Sequence, residues 1–178
     1  MLETERLLLR PPTPKDLDGL ERIFGDREVM RFIRSGATLT REQIAGMLER
    51  MIARFEADGF GQLVVEERED GRFVGRVGLL PHDPETWQLG SRAEIGKSAE
   101  IEIGWALARE AWGNGYGLEA AAAVRDWARD ELGLQRLVSI IQHGNARSVR
   151  IAKKLGLDFE REIVTSFEKQ AHLYSMTL

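Results

Sequence analysis

The chain has no cysteine among its 178 residues. That excludes a disulfide framework, thiolate zinc sites and a cysteine nucleophile, and it is compatible with a reducing compartment. Histidines number only three, His82, His143 and His172, and they are scattered along the sequence. No HExxH occurs and no serine sits in a GxSxG turn, so neither a metal site nor a hydrolytic triad is expected, and the histidines read as ordinary surface or half-buried residues. No apolar run approaches the roughly 20 residues of a membrane-spanning helix, and the opening MLETERLLLR carries charge where a secretory signal needs an apolar stretch. A cytoplasmic protein with no membrane partner is expected. Nor is positive charge in excess: 25 Lys and Arg stand against 29 Asp and Glu, a net charge of -4, which argues against a domain-wide nucleic-acid footprint.

What is present suits one globular domain over residues 1–178, with 43% hydrophobic and 30% charged residues. A chain of this length buries about 70% of its unfolded surface and needs no metal or disulfide to supply a core. The patterning predicts a strand at Arg6–Arg10, ended by Pro11, Pro12 and Pro14. A helix then starts at Thr13 or Asp16 and runs to about Phe32, and a second runs from Thr40 to near Gly59. Gln62–Glu67 and Arg72–Leu80 read as a hairpin about Asp70-Gly71, followed by a polar segment from His82 to Lys97. Ala99–Leu107 alternates as a strand, with Glu100 and Glu102 on the face opposite Ile101 and Ile103. An alanine-rich helix follows from Leu118 to Leu132, its inward stripe being Ala120, Ala123, Val124, Trp127 and Ala128. Leu137–Gln142 is a short strand, Asn145–Leu155 a helix closed by Gly156, and Arg161–Leu178 two more strands. Helices alternating with strands in this order imply an α/β fold with a mixed sheet.

The passage WGNGYG, Trp112 to Gly117, joins a strand to a helix. Glycines at 113, 115 and 117 let the backbone expose its N–H groups, and with a helix dipole behind them those groups suit a phosphate or pyrophosphate. A dinucleotide fingerprint is not supported, because Leu118 stands where it needs glycine or alanine and no repeated βαβ frame precedes it. GSRAEIGKS at Gly90–Ser98 has five residues between its first glycine and GKS where a phosphate loop has four, and a strand rather than a helix follows it. Asn145 and Ser148 read from the residues alone as helix-capping groups.

Three passages, TERLLLRPPTPKDLDGL (Thr4–Leu20), EIGWALAREAWGNGYGLEA (Glu102–Ala120) and NARSVRIAKKLGLDFE (Asn145–Glu160), give the chain its family likeness. In order and spacing it resembles the GNAT superfamily of acyl-CoA-dependent N-acyltransferases, and within it the branch similar to RimJ/RimL ribosomal-protein N-terminal acetyltransferases. The resemblance implies a mixed, mostly antiparallel central sheet splayed in the middle and flanked by helices. It implies acetyl-CoA as co-substrate, with backbone amides of Trp112, Gly113, Asn114, Gly115, Tyr116, Gly117 and Leu118 on the pyrophosphate. The pantetheine arm would lie between the strands of Glu100–Ala106 and Leu137–Gln142. Trp112 stands where the wider family has Arg or Gln, a departure this branch commonly shares. By the same resemblance Asn145 contacts the cofactor, Ser148 lies near its sulfur as a proton donor, and Glu102 is a general-base candidate acting directly or through water. Tyr174, in the final strand, is an alternative acid or else a core tyrosine. The implied reaction is direct acetyl transfer to a primary amine, without metal. The acceptor is a protein N-terminal α-amine or a small amine such as an amino acid, polyamine or aminoglycoside; the alternative outside catalysis is a silent acyl-CoA-binding module.

Overall fold

The computed structural model describes all 178 residues. Strand β1 (Leu2–Glu3) pairs with β2 (Leu7–Arg10), where Leu7 and Leu9 are buried by alternation. A 3-10 turn at Pro14–Asp16 leads into α1 (Leu17–Phe24), and α2 (Arg27–Met30) follows after a break. One helix to Phe32 was expected; the chain restarts instead because Gly25 ends α1 and the Asp26 carboxylate accepts the N–H groups of Glu28 (2.7 Å) and Val29 (3.3 Å). Helix α3 (Arg41–Asp58) has both expected ends. Thr40 and Gln43 exchange side-chain to backbone bonds at its start, and Gly59 takes a left-handed φ of 73° at its close.

Strands β3 (Gln62–Glu67) and β4 (Phe73–His82) form the hairpin. β4 continues past the expected Leu80, through Pro81, because β3 begins opposite Gly78 and no strand lies beyond it on that side to miss the proline N–H. The added residues bring His82 into register with Glu100. Within the polar segment lies the short helix α4 (Arg92–Ile95), capped by Ser91. Then come β5 (Glu100–Leu107), α5 (Tyr116–Asp130), β6 (Arg136–Gln142), α6 (Ala146–Leu155), β7 (Asp158–Val164) and β8 (Gln170–Thr177). Helix α5 starts two residues earlier than the pattern suggested, and its fully buried stripe is Gly117, Ala120, Ala121, Val124 and Ala128. Ala121 thus takes the place expected for Ala123, and Trp127 is only half-buried.

The eight strands form one sheet in the order β1-β2-β3-β4-β5-β6-β8-β7, antiparallel at every pairing except β5 with β6. Alternation along β5 sorts its residues to two layers. Ile101 and Ile103 join the core under α5 and α6, whereas Ala106 joins the cluster formed by α1, α2 and α3 on the other face.

The amino-terminal passage that carried part of the family likeness is a set of clamps. Thr4 Oγ1 and Arg6 Nε donate to the two oxygens of Glu119 on α5, at 2.6 and 2.8 Å. Arg10 reaches Asp16 with two guanidinium nitrogens, at 2.9 and 2.6 Å, and also Glu66 on β3. Asp16 is buried, which by itself raises its carboxyl pKa, but hydrogen bonds from Arg10 and Thr13 outweigh burial and hold it below the ordinary range. Because the folded value is depressed, this contribution to stability is present above about pH 4 and lost as pH falls through the depressed value. Replacing Arg10 with Met strands two partly buried carboxylates. The variant is expected to unfold in urea with about 2 kcal/mol less stability at neutral pH, and with a weaker acid dependence than the parent.

Candidate active site

The glycine passage lies between β5 and α5. Gly113 and Gly115 hold φ of 85° and 82°, conformations that strain any residue with a Cβ. The resulting turn leaves the backbone N–H groups of Gly113, Asn114, Gly115, Tyr116 and Gly117 without an acceptor in the chain, at the positive end of a 15-residue helix. Two residues of the expected set differ. The Trp112 N–H is taken by the Arg109 carbonyl and the Leu118 N–H by that of Gly115, both at 3.2 Å. The Trp112 indole donates to the Leu107 carbonyl (3.0 Å) and lies under the Arg147 guanidinium. Gly117 is also corrected: it lies inside α5 with ordinary φ, and an added Cβ would meet Ile151 Cδ1 at 3.0 Å and Leu107 Cδ1 at 3.4 Å. Its missing side chain lets α5 and α6 approach; it does not make room in front of the loop.

β5 and β6 share a single pair, Glu102 with Val138, and beyond it they diverge. A cavity of about 490 Å³ passes through the opening. On the α1–α3 face it is lined by Phe24, Met47, Met51, Arg76, His82 and Glu102, and at the α6 end by Trp105, Asn145 and Ser148. Trp87, Gln88 and Leu89 of the polar segment border it as well.

Glu102 sits where the strands part. Its Oε1 accepts the Ile140 N–H of β6 at 3.4 Å, and its Oε2 lies 2.8 Å from His82 Nε2. His82 Nδ1 is 3.1 Å from the Trp87 carbonyl, which only accepts, so Nδ1 carries a proton. With Nδ1 protonated, Nε2 is the site of the imidazole's second proton, the one that faces Glu102. Burial pushes the His82 pKa down, but the hydrogen bond and charge of Glu102, with the Trp87 carbonyl, more than compensate and raise it above its ordinary value. The pair thus favours a proton on the imidazole more than a free histidine does.

At the other end Ser148 Oγ accepts from the Trp105 indole (3.3 Å), which leaves its own O–H to donate toward the cavity. Asn145 caps α6, its Oδ1 accepting the Ser148 N–H at 3.2 Å, while the residue also lines the cavity. Tyr174 is not brought to this site. It is 4% exposed in the main core, edge-on to Phe159, and lines no part of the cavity, so the structure favours the core reading over the acid. The histidines are not scattered in space. His82 joins Glu102, and His143 and His172 place their Nε2 atoms 2.6 and 3.0 Å from the two oxygens of Glu162, away from the cavity. Sequence reasoning missed His82 because its strand was ended two residues short; continuing the alternation from Arg76 through Gly78 and Leu80 would have placed it beside Glu102.

The sequence model of the acetyltransferase (GNAT) domain matches residues 6–158. The chain belongs to the GNAT acetyltransferase family. This acetyltransferase is 30% identical over 165 residues to the uncharacterized protein YkkB of Bacillus subtilis, covering 91% of this chain and 87% of that one. A GNAT acetyltransferase of Bacillus anthracis superposes with a TM-score of 0.79 at 23% identity, covering 99% and 97% of the two chains. RimL, a ribosomal L7/L12 α-N-protein acetyltransferase solved with coenzyme A, superposes with a TM-score of 0.77 at 11% identity, covering 98% and 96%. The chain is thus an acyl-CoA N-acyltransferase built on the fold those structures share.

The Glu102–His82 pair makes a direct test. The His82 pKa is raised in the folded acetyltransferase, so the pair's contribution to stability is complete below about pH 6.5 and lost as pH rises through the raised value. With Glu102→Gln, burial and the nearby Arg54 charge dominate, and His82 is expected to titrate below its ordinary value. NMR titration of the imidazole Hε1 protons, assigned with His82→Gln, reads this directly. An unchanged midpoint in Glu102→Gln rejects the pairing.

Proposed function

We propose that this acetyltransferase takes acetyl-CoA as donor, with its pyrophosphate on the free N–H groups of residues 113–117 and its pantetheine arm between the diverging edges of β5 and β6. The carrying observation is that the cavity crosses the sheet where the ladder opens, with Glu102 toward the α1–α3 face and Ser148 toward α6. Unpaired backbone groups along a separated strand edge can receive an extended amide-bearing chain as they would receive a strand. Transfer is direct: the amine nitrogen attacks the thioester carbonyl, the C–S bond breaks, and no enzyme intermediate forms.

In this reading the proton leaving the amine goes to the Glu102–His82 pair, and the departing thiolate takes one from the Ser148 hydroxyl, which regains its proton from solvent in the open cavity. When His82 is an imidazolium, the pair is neutral overall and a poor base. Loss of that proton leaves a net negative pair able to accept the proton of an ammonium group. An α-amine, with pKa near 8, asks less of such a base than a lysine, near 10.4. The acceptor is a primary amine, a protein α-amine or a small amine, entering from the α1–α3 face and bordered by residues 87–89. A cytoplasmic location and a single domain over residues 1–178 belong to the same reading.

Because the protein contains no thiol, release of CoA can be followed with a thiol reagent free of background. Acetyl-CoA and CoA are expected to raise the melting temperature, whereas NAD is not, and Gly115→Val should abolish the rise in a folded variant. Glu102→Gln should lower kcat by about 10²–10⁴-fold, least at high pH, and Ser148→Ala should lower kcat with acetyl-CoA affinity intact. CoA binding with no thiol release from any amine would leave a binding module in place of the enzyme.

A further inference from the structure

We infer that the acceptor is a small amine bearing a carboxylate or phosphate, and that Arg34, Arg50, Arg54 and Arg76 receive this anion. The inference rests on the reading of the α1–α3 face as the acceptor side. All four arginines line the cavity, Arg54 and Arg76 half-buried on its wall and Arg34 and Arg50 exposed at its mouth. They come from three separate parts of the chain: the turn after α2, the face of α3 that also carries Met47 and Met51, and β4. Glu102 is the only carboxylate lining the cavity, and it is engaged by His82.

Elsewhere this chain pairs its partly buried arginines. Arg10 lies between Asp16 and Glu66, and Arg136 between Glu100 and Glu160. The four cavity arginines, by contrast, enter no ion pair. The Arg76 side chain donates only to the side-chain Oε1 of Gln62 and stacks over Phe24, while Arg34 stacks over Phe167. Beside Arg76, the buried Gln62 Nε2 has no acceptor at all. Donors are thus in excess and acceptors are missing, the converse of a finished structural network.

The charges also act on one another. Burial and the charge of Arg50 depress the pKa of both Arg34 and Arg54, although Glu94 and Asp58 pull Arg54 back up in part. Burial brings Arg76 down to about 10 although Glu102 pulls it up, and Arg34 adds to the depression. A cluster held together against its own repulsion is relieved by an anion, which guanidinium groups bind through paired N–H donors. The same field opposes a polyamine or an aminoglycoside, whose remaining ammonium groups would meet four positive charges. The volume, shared with the thioester end, suits a small molecule better than a folded protein's terminus.

The experiment uses the full chain, acetyl-CoA and matched acceptors: an α-amino acid against its carboxamide, phosphoethanolamine against ethanolamine, a polyamine, and a peptide with an acidic amino-terminal residue. The anion-bearing member of at least one pair is expected to exceed its neutral partner by ~100-fold in kcat/KM. Which pair responds tells carboxylate from phosphate. Arg54→Gln should raise KM for that acceptor roughly tenfold and leave the CoA-induced rise in melting temperature unchanged. Neutral partners or the polyamine turning over as well, or the peptide alone doing so, overturns the inference. Should no amine release CoA, the acetyl-transfer reading fails, and the anion site is judged apart from it. Phosphate or succinate must then raise the melting temperature of the CoA-bound wild type more than that of Arg54→Gln, and equal shifts overturn it.

Discussion

The parting of β5 from β6 is the constraint on which the rest of this molecule depends. Two parallel strands in one sheet normally continue their ladder, because buried backbone N–H and C=O groups left unpaired are costly. Here pairing stops after Glu102 and Val138. The Glu102 carboxylate fills the first vacancy by accepting the Ile140 N–H, so the residue with the most chemical promise also seals the apex of the opening. The separate helical layers on the two faces hold the strands at this divergence, α1–α3 on one side and α5 with α6 on the other. That is how a cavity comes to be lined by residues from both faces of a sheet.

Position in the sequence and position in the site are related unevenly. Elements whose ends are set by local chemistry were legible: Thr40 and Gly59 bound α3, Asn145 and Gly156 bound α6, and the glycines at 113 and 115 mark the turn before α5. Glu102 and Ser148 were also legible, through alternation and family likeness. What escaped was set by convergence across distant segments. Arg50 and Arg54 look like the solvent edge of an amphipathic helix until β4 lays Arg76 beside them, and nothing local marks Arg34. His82 escaped because a proline looks like a strand end unless one knows that no strand lies beside it. Tyr174 takes the second of its two readings and packs in the core, and Gly117, whose N–H is free, owes its missing side chain to the contact between α5 and α6.

Family likeness also proved to mix two kinds of signal. In the middle of the chain it marks the glycine loop and the strand that lines the cavity. At the amino terminus it marks Thr4, Arg6, Arg10 and Asp16, whose partners are Glu119, Glu66 and one another. These tie the edge of the sheet to the helix that carries the glycine turn. A sequence signature at that end reports how the scaffold is braced, and is silent on what the cavity holds.

The Trp87 carbonyl that orients His82 belongs to a turn with its own internal bracing. Asp83 accepts from Glu85 and Thr86, and Trp87 takes a positive φ of 56° while its indole is buried beside Val138 and Leu173. The turn contributes no acid or base of its own. Yet its carbonyl raises the proton affinity of His82, and linkage runs both ways. Whatever lifts the turn from the cavity makes the imidazole more acidic, and whatever protonates the imidazole tightens the turn. A ligand that displaced residues 87–89 would therefore lower the proton affinity of His82. The geometry of the turn and the charge of the imidazole are in this way linked through a single main-chain oxygen.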